Sequence, residues 1–173
     1  MKPTKKYTVV TGASSGIGRE TAKAFANRGR NLIVAARRTE NLEALKREVT
    51  EQHPTLDVVI RTVDLSVREN VYQFYSDLKD FQLETWVNNA GFGNYDSVAQ
   101  QDLGKIDTML RLNVEALTIL SSLFVRDYKD VPGTQLINIS SAGGYTIVPA
   151  AVTYCATKFY VSTFTEGLAW ELI

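Results

Sequence analysis

The sequence contains very little cysteine and histidine. Among its 173 residues there is one cysteine, Cys155, and one histidine, His53. One cysteine excludes an intramolecular disulfide and any zinc or iron–sulfur site built from several cysteines. One histidine, next to Pro54 behind a charged segment, is poorly suited to a Ser-His-Asp triad and too few for a multi-histidine metal site. We therefore predict no metal site, and acid–base chemistry that uses Tyr, Lys, Asp, Glu or Cys155.

The sequence also lacks an excess of either charge. Its 19 Lys and Arg residues balance 19 Asp and Glu residues, so the charge footprint of a nucleic-acid or membrane-surface binder is absent. We identify no hydrophobic signal region before Tyr7 and expect no apolar run of about 20 residues. With 45% hydrophobic residues, the chain is expected to form one globular domain over residues 1–173. We expect it to be cytoplasmic, with no nucleic-acid or membrane partner.

Short apolar segments alternate with longer segments of helical periodicity. This alternation is typical of an α/β fold in which helices cross over between the strands of a parallel sheet. Five strands are predicted, at Tyr7–Thr11, Asn31–Ala36, Asp57–Val63, Thr85–Asn88 and Thr134–Ile139.

Three helices are predicted between the first four strands. The first covers Gly16–Arg28, and the second ends at Pro54. The third is expected to begin at Ser66, because Ser66 and Glu69 have the spacing of a capping box.

A longer helix is predicted at Leu103–Arg126, with one polar residue in its apolar stripe. A buried side-chain amide costs about 1–3 kcal/mol unless it finds partners, so we expect Asn113 to have a specific hydrogen-bonding role. The last helix is predicted to begin near Thr153 and to continue to Ile173. The stripe consists of Ile106, Leu110, Asn113, Leu117, Leu120 and Phe124.

A glycine-rich segment follows the first strand and precedes the first helix. Its glycines allow a sharp turn and a close approach to a bulky anion, and the helix N-terminus offers unpaired N–H groups to a pyrophosphate. The alternative is a tight turn without a ligand, but the position after the first strand of a βαβ series favours a dinucleotide site. The segment reads Thr11-Gly12-Ala13-Ser14-Ser15-Gly16-Ile17-Gly18.

Two arginines end the second strand, where an acidic residue would hold the ribose 2′-OH of NAD. Arg37 and Arg38 could instead pair with the 2′-phosphate of NADP. The alternative is that both guanidinium groups are merely solvated. Because the acid is missing and bases are present, the sequence favours NADP(H).

A tyrosine and a lysine lie one turn apart at the start of the last helix. The spacing of Tyr154 and Lys158 places the phenol and the ammonium on one face, where a cation favours the phenolate and makes the tyrosine a usable proton donor or acceptor. The alternative is that the Tyr154 ring is a surface aromatic that packs on the aliphatic part of the Lys158 side chain. Ser141, just beyond the fifth strand, could stabilise charge on a substrate oxygen, but Ser140 competes for this role. Asn113 could hold a water that links Lys158 to solvent.

These motifs together resemble those of the short-chain dehydrogenase/reductase family. They occur in the family's order and at its spacing over nearly the whole chain. The matching residues are Thr11-Gly12-x-x-x-Gly16-x-Gly18, Asp64, Asn88-Asn89-Ala90-Gly91, Asn113, Ser141 and Tyr154-x-x-x-Lys158.

The resemblance implies a Rossmann-type, doubly wound parallel sheet and reversible hydride transfer between a nicotinamide and a carbonyl or alcohol. It implies that Tyr154 is the general acid/base, that Lys158 promotes its ionisation and holds the nicotinamide ribose, and that Asn113 completes the proton relay. It also favours Ser141 over Ser140 as the residue that positions the carbonyl.

The resemblance implies an NADP(H) site as well. Asp64 and Leu65 would contact the adenine end, Arg37 would select NADP, and Ser14 would add a phosphate contact. The full set of implied cofactor-binding residues is Gly12, Ser14, Ser15, Gly16, Ile17, Gly18, Arg37, Arg38, Asp64, Leu65, Asn89, Ala90, Gly91, Tyr154 and Lys158.

One departure from the family pattern concerns the end of the sequence. Family members continue past this helix through two more strands and a substrate-binding segment, so five of the usual seven strands are expected here. Without these parts, we expect weaker cofactor binding, lower substrate selectivity and weaker association into the homodimer or homotetramer of a full-length form. An alternative function is therefore a truncated or non-catalytic nucleotide-binding module.

The loops Gly93–Gln101 and Gly143–Val152 are expected to line the mouth of the site, but they do not identify the small carbonyl or alcohol substrate.

Overall fold

The computed structural model describes residues 5–172 and contains a five-stranded parallel sheet. The predicted continuation of the last helix to Ile173 lies outside the described residues. The strand order is β3-β2-β1-β4-β5, as expected for a doubly wound Rossmann-type sheet. The strands are β1 (Lys6–Thr11), β2 (Asn31–Ala36), β3 (Val58–Thr62), β4 (Gln82–Asn88) and β5 (Gln135–Asn138).

The helices follow the predicted order between the strands. A short 3₁₀ turn at Ala142–Gly144 lies between β5 and the last helix. The helices are α1 (Gly16–Asn27), α2 (Thr39–Gln52), α3 (Arg68–Ser76), α4 (Leu103–Leu110), α5 (Leu117–Tyr128) and α6 (Val152–Glu171).

Successive strand residues point into two separate hydrophobic clusters, one on each face of the sheet. In β1, for example, Val9 belongs to the cluster that α3 and α5 cover, whereas Val10 belongs to the cluster that α1 and α2 cover. Both side chains are fully buried. Because both faces are covered, apolar residues occupy successive positions in the strands, as in Leu32–Ala36 of β2, which is why the strands are recognisable in the sequence.

Trp86 is the centre of the first cluster. Its ring lies 5.7 Å from Phe74, 5.4 Å from Tyr75 and 6.0 Å from Phe124, measured between centroids. Its indole N–H donates to the side chain of Asn88, two residues further along the same face of β4, at 2.8 Å. A fully buried indole needs such a partner, so the cluster depends on Asn88.

Asn88 also connects β4 to its neighbours. Its Nδ2 donates to Ser121 Oγ of α5 at 3.0 Å and to Asn138 Oδ1 of β5 at 2.9 Å. Asn138 in turn donates to Thr165 Oγ1 of α6 at 3.0 Å. This buried polar network fixes β5 and two helices relative to the centre of the sheet.

The long helix contains a change of register that the sequence periodicity does not predict. A π-helical turn at Arg111–Ala116 joins α4 to α5. Such a turn adds a residue, which rotates α4 by about 100° relative to a continuous α-helix. The prediction that Leu110 lies in the buried stripe is therefore wrong: Leu110 is 43% exposed and Met109 is buried instead. Ile106 is partly buried, and the buried members of the predicted stripe are Asn113, Leu117, Leu120 and Phe124.

The predicted capping box at α3 is also wrong. The helix begins at Arg68, and Val67 occupies the N-cap position without a side-chain hydrogen bond. The Ser66 hydroxyl donates instead to Asp64 Oδ1 at 2.7 Å. The Ser66 backbone N–H also donates to Asp64 Oδ1, at 3.0 Å, so Ser66 belongs to a turn built on Asp64 and lies one residue before the N-cap.

The expectation that the chain contains no apolar run of about 20 residues is wrong. Leu103–Tyr128 spans 26 residues with a mean hydropathy of 1.3 over its most apolar 18-residue window, values that a membrane-spanning helix can also have. In the structure this run packs as a core helix, with Leu120 and Phe124 in the cluster around Trp86. Other apolar residues of the run are exposed, among them Leu103 and Leu110, and 39% of the apolar window is buried.

We predict that Asn88→Ala destabilises the fold by about 3 kcal/mol, because it leaves the buried Trp86 N–H without its acceptor and removes the bonds from β4 to Ser121 and Asn138. The melting temperature should fall by roughly 6–12 °C in a thermal melt followed by circular dichroism. Gln82→Ala, at an exposed position of the same strand, is the matched control and should change stability by less than about 0.5 kcal/mol. Equal stability of the two variants would contradict the assigned role of the network.

Candidate active site

The glycine-rich segment forms the turn between β1 and α1, and its glycines are required for two different reasons. Gly12 and Gly16 have φ angles of +66° and +56°, which side chains rarely adopt. A Cβ at Gly12 would also lie 2.8 Å from Ala90 Cα, so β4 approaches the turn too closely for any side chain. A Cβ at Gly16 would meet nothing within 4 Å. The backbone around Gly16 and the α1 N-terminus is therefore open to a ligand.

Thr11 and Asn89 fasten the ends of the two central strands together. Thr11 Oγ1 accepts hydrogen bonds from the backbone N–H groups of Asn89, at 3.0 Å, and Ala90, at 3.1 Å. The Asn89 side chain donates back to the carbonyl oxygens of Thr11, at 3.1 Å, and Gly12, at 3.3 Å. The order of the sheet reverses between these strands, and open α/β sheets bind ligands at that position.

One of the two arginines at the end of β2 is already bound to the glycine-rich segment. Arg38 donates to Ser14 Oγ at 3.1 Å and to Ser15 Oγ at 2.8 Å. Arg37 is exposed and lies close enough to Asp64 to influence its ionisation. Burial raises the pKa of Asp64, but hydrogen bonds from Ser66 and the charge of Arg37 outweigh burial, so the net pKa lies below its ordinary value. The end of the site next to β2 therefore contains two guanidinium groups, the hydroxyls of Ser14 and Ser15, and the carboxylate of Asp64.

Lys158 is buried at the opposite end of the site. Its Nζ donates to the Ile139 carbonyl at 3.0 Å and lies 5.9 Å from the centre of the Tyr154 ring. The side chain is 6% exposed, and burial lowers the pKa of its ammonium below the ordinary value. The structure thus brings the predicted tyrosine and lysine together on one face of α6.

Asn113 is 1% exposed, and its amide is occupied by protein groups. Its Oδ1 accepts from Phe92 N–H at 3.1 Å, and its Nδ2 donates to the Phe92 carbonyl at 2.9 Å and to Thr157 Oγ1 at 3.1 Å. A Cβ at Gly91 would lie 2.9 Å from Asn113 Oδ1 and 3.7 Å from Lys158 Nζ. Asn113 therefore stands beside the lysine, as expected, and holds the loop after β4 against α6.

The two adjacent serines after β5 point in different directions. Ser140 Oγ bonds to the Lys158 carbonyl at 3.0 Å and to Ser162 Oγ at 2.7 Å, both on α6. Ser141 Oγ accepts from Gly143 N–H at 3.1 Å. A Cβ at Gly143 would lie 3.6 Å from both Ser141 Oγ and Tyr154 Cε1, which places Ser141 near the tyrosine ring, whereas Ser140 is the serine that lines the cleft containing Tyr154.

The predicted cofactor residues line two adjoining clefts. Both clefts are lined by Gly12, Ser15, Ala90 and Gly91. The first, of about 150 Å³, also contains Ser14, Ala35, Ala36, Arg37, Arg38, Val63, Asp64, Leu65 and Leu112. The second, of about 270 Å³, also contains Gly16, Ile17, Asn89, Phe92, Ile139, Ser140, Tyr154 and Lys158.

These residues fit an extended dinucleotide. The arginine end can receive a phosphorylated ribose, the open backbone at Gly16 can receive a pyrophosphate, and the Tyr154 end can receive the reactive ring. Gly18 does not line either cleft; a Cβ there would collide with Asn89 and the Gly12 carbonyl, so this glycine is needed for close packing.

Sequence reasoning did not identify the groups that support the site residues. Thr157 is 1% exposed and lies between the Tyr154 carbonyl and Asn113. The Ile139 carbonyl fixes Lys158, and the Thr11 hydroxyl joins the central strands. Of these, the Thr11 hydroxyl could have been suspected, because a polar residue at the end of an apolar strand needs a partner.

We predict that Lys158→Met raises the melting temperature at neutral pH by about 3 °C, on the order of 1 kcal/mol, because it removes a buried charge. The folded-state pKa of Lys158 lies below the unfolded value, so folding becomes more favourable as pH rises between the two pKa values. The advantage of the variant should therefore shrink as pH approaches 10.5, the ordinary lysine value. Thermal melts at several pH values measure it.

Lys105→Met, at an exposed lysine, is the control and should change stability by less than about 0.5 kcal/mol at every pH. A lower melting temperature for Lys158→Met than for the unaltered protein would show that the bond to Ile139 outweighs the cost of burial.

Comparison with known proteins is consistent with this geometry. A family model described as short chain dehydrogenase matches residues 6–173. Dehydrogenase/reductase SDR family member 11 of Homo sapiens is 31% identical over 173 residues, which covers 96% of this chain and 66% of that protein.

Two solved structures have nearly the same fold. The bulky-bulky ketone specific alcohol dehydrogenase from Comamonas testosteroni has a TM-score of 0.90 and 30% identity, covering 96% of this chain and 67% of that one. A short-chain dehydrogenase from Sphingobium yanoikuyae, in complex with NADPH, has a TM-score of 0.91 and 30% identity, covering 96% and 66%. The chain spans about two thirds of the length of these proteins. It belongs to the short-chain dehydrogenase/reductase family.

Proposed function

We propose that this protein is an NADP(H)-dependent oxidoreductase that transfers a hydride between the nicotinamide and a carbonyl or alcohol carbon. The proposal is carried by the arrangement of the two adjoining clefts, with Arg37 and Arg38 lining the first and Tyr154 and Lys158 lining the second. A proton donor and a phosphate-binding group are thus separated along the path that an extended dinucleotide would follow.

The arginine end favours the 2′-phosphate of NADP(H). Ser14, Ser15 and Arg38 already form one hydrogen-bonded group, and Arg37 adds a second positive charge at the same cleft. Such groups bind a phosphate through charge-assisted bonds, and no carboxylate stands at the end of β2 to hold a free 2′-OH. The relative from Sphingobium yanoikuyae with bound NADPH supports this preference.

Tyr154 is the proposed general acid/base. The cofactor, when bound, supplies the hydride that forms the new C–H bond at the carbonyl carbon. Tyr154 gives its phenolic proton to the carbonyl oxygen as the C=O π bond breaks, and the product is the alcohol. The charge of Lys158 stabilises the phenolate that remains until a proton returns from solvent. The reverse sequence oxidises an alcohol.

Ser141 and Asn113 complete the proposed site. The bond from Gly143 uses the Ser141 hydroxyl as an acceptor, so its own proton can be donated to the substrate oxygen. This bond would stabilise the negative charge that develops on that oxygen. Asn113 lies beside Lys158, and we assign it to the relay that returns the proton to the tyrosine.

Cytoplasmic location and homo-oligomeric assembly belong to the same proposal. The helix α6 carries exposed aromatic residues along its length, among them Tyr160, 38% exposed, and Trp170, 72% exposed. Such a patch supports a subunit interface, which sedimentation analysis of the protein would measure.

We predict that Tyr154→Phe lowers turnover with a carbonyl substrate by at least about 10²-fold, because it removes the transferable proton and little else. The NADPH dissociation constant, measured by fluorescence titration, should change by no more than about threefold. Tyr160→Phe, elsewhere on α6, is the matched control and should retain turnover. Near-normal turnover of Tyr154→Phe would contradict the mechanism. Nucleotide binding without turnover in the unaltered protein would support the alternative function, a binding module.

We predict that the double variant Arg37→Ala/Arg38→Ala binds NADPH at least about tenfold more weakly and binds NADH unchanged, because only NADPH carries the phosphate that these groups receive. Direct titration with both nucleotides measures this. Arg28→Ala, an exposed arginine at the end of α1, should leave both affinities unchanged. If the unaltered protein binds NADH at least as tightly as NADPH, the assigned cofactor is wrong.

A further inference from the structure

Two loops flank Tyr154 and carry large exposed apolar side chains. Residues 92–101 follow β4, and residues 143–152 precede and begin α6. Tyr95 is 71% exposed in the first loop, and Tyr145 and Ile147 are 75% and 72% exposed in the second. Exposed apolar residues grouped beside a reactive side chain indicate a binding surface.

We propose that these loops select a flat, neutral, apolar carbonyl compound, and that Tyr95 is a specificity-determining residue that packs against it. This inference rests on the proposed function, because it names the substrate class of the same site. Three features carry it: the position of the Tyr95 ring, the way in which its loop is held, and the charges of both loops.

The Tyr95 ring lies directly beside the proposed catalytic tyrosine. The centroids of Tyr95 and Tyr154 are 6.4 Å apart and their planes are tilted by 45°. A Cβ at Gly93 would lie 3.2 Å from Tyr154 Cδ2, so the loop crosses the Tyr154 ring without space for a side chain at this position. A ring system that presents its carbonyl to Tyr154 would therefore meet Tyr95 at a distance typical of aromatic packing.

The loop that carries Tyr95 is fastened at both ends. At its start, Asn113 binds both backbone groups of Phe92. At its end, Gln101 is 7% exposed; it donates to the Asp96 carbonyl at 2.9 Å and accepts from Thr153 Oγ1 of α6 at 2.8 Å. Thr153 immediately precedes Tyr154. The loop backbone that carries Tyr95 is thus held relative to the helix that carries the reactive group, and the exposed ring is open to a substrate.

The charges of the two loops favour a neutral ligand. Residues 143–152 contain no charged residue, and residues 91–101 contain one, the carboxylate Asp96. A substrate with a phosphate or carboxylate close to its reactive carbon would find no cation in either loop and would be repelled by Asp96. The loops offer apolar side chains and uncharged polar ones such as Asn94, and Tyr154 and Ser141 supply the polar anchor at the carbonyl.

The inference is tested by binding of two neutral ketones to the protein loaded with NADP⁺. Because NADP⁺ has no hydride to transfer, the ketones bind without reacting, and isothermal titration or NMR titration measures their dissociation constants. The ketones are 2-acetylnaphthalene, which is flat and aromatic, and 2-butanone, which is small and aliphatic. The variants are Tyr95→Ala, Tyr95→Phe and the control Val98→Ala, an exposed residue of the same loop.

We expect the unaltered protein to bind 2-acetylnaphthalene more tightly than 2-butanone. Tyr95→Ala should weaken binding of the aromatic ketone by about tenfold, with little effect on 2-butanone, since one aromatic contact is lost. Tyr95→Phe and Val98→Ala should bind both ketones within about twofold of the unaltered protein. Thermal melts of all variants report whether the fold is retained.

The inference is overturned if Tyr95→Ala binds the aromatic ketone normally, or if the unaltered protein does not prefer it. Either result leaves the proposed function standing when NADP⁺ still binds. Failure of NADP⁺ to bind counts instead against the proposed function, and titration of the cofactor-free protein with both ketones then still measures the contribution of Tyr95.

Discussion

The side-chain amide of Asn113 holds together the segments that form the active-site end of the molecule. Parallel strands end at one edge of the sheet, and the loops beyond that edge lose the hydrogen bonds of the ladder. Asn113 supplies replacements: it binds both backbone groups of Phe92 after β4 and the Thr157 hydroxyl of α6. Because the amide is buried, losing any of these bonds is costly. The position of Gly91, the loop that carries Tyr95, and the helix that carries Tyr154 all depend on it.

The positive charges at the two ends of the site differ in their exposure to solvent. Arg37 and Arg38 are exposed, so their charges cost little in folding and are available to a phosphate. Lys158 is buried, and its lowered pKa shows that the fold carries an electrostatic cost at this position. A protein with equal numbers of acidic and basic residues can still bind an anion, because binding depends on these local groups and not on net charge.

Much of the fold follows from the sequence because both sides of the sheet are covered. Buried parallel strands read as short apolar segments, so all five strands were located, and motif spacing located the tyrosine, the lysine and the glycine-rich turn. The π-helical turn, which contains Asn113, was not predicted, because one extra residue in a helix leaves no mark on local periodicity. Ser66 has the spacing of a cap, but it belongs to a local turn built on Asp64, and the helix begins two residues later, at Arg68.

If the two adjoining clefts form one NADP(H) site, NADPH should stabilise the 173-residue chain more than NADH does, and a thermal melt with each nucleotide measures this. A ligand at 100 times its dissociation constant adds about 2.7 kcal/mol to the free energy of unfolding, which corresponds to several degrees for a chain of this size. We expect a cooperative transition that NADPH raises by several degrees and NADH raises much less at equal concentration. A transition that responds equally to both nucleotides, or to neither, would show that the clefts are not an NADP(H) site.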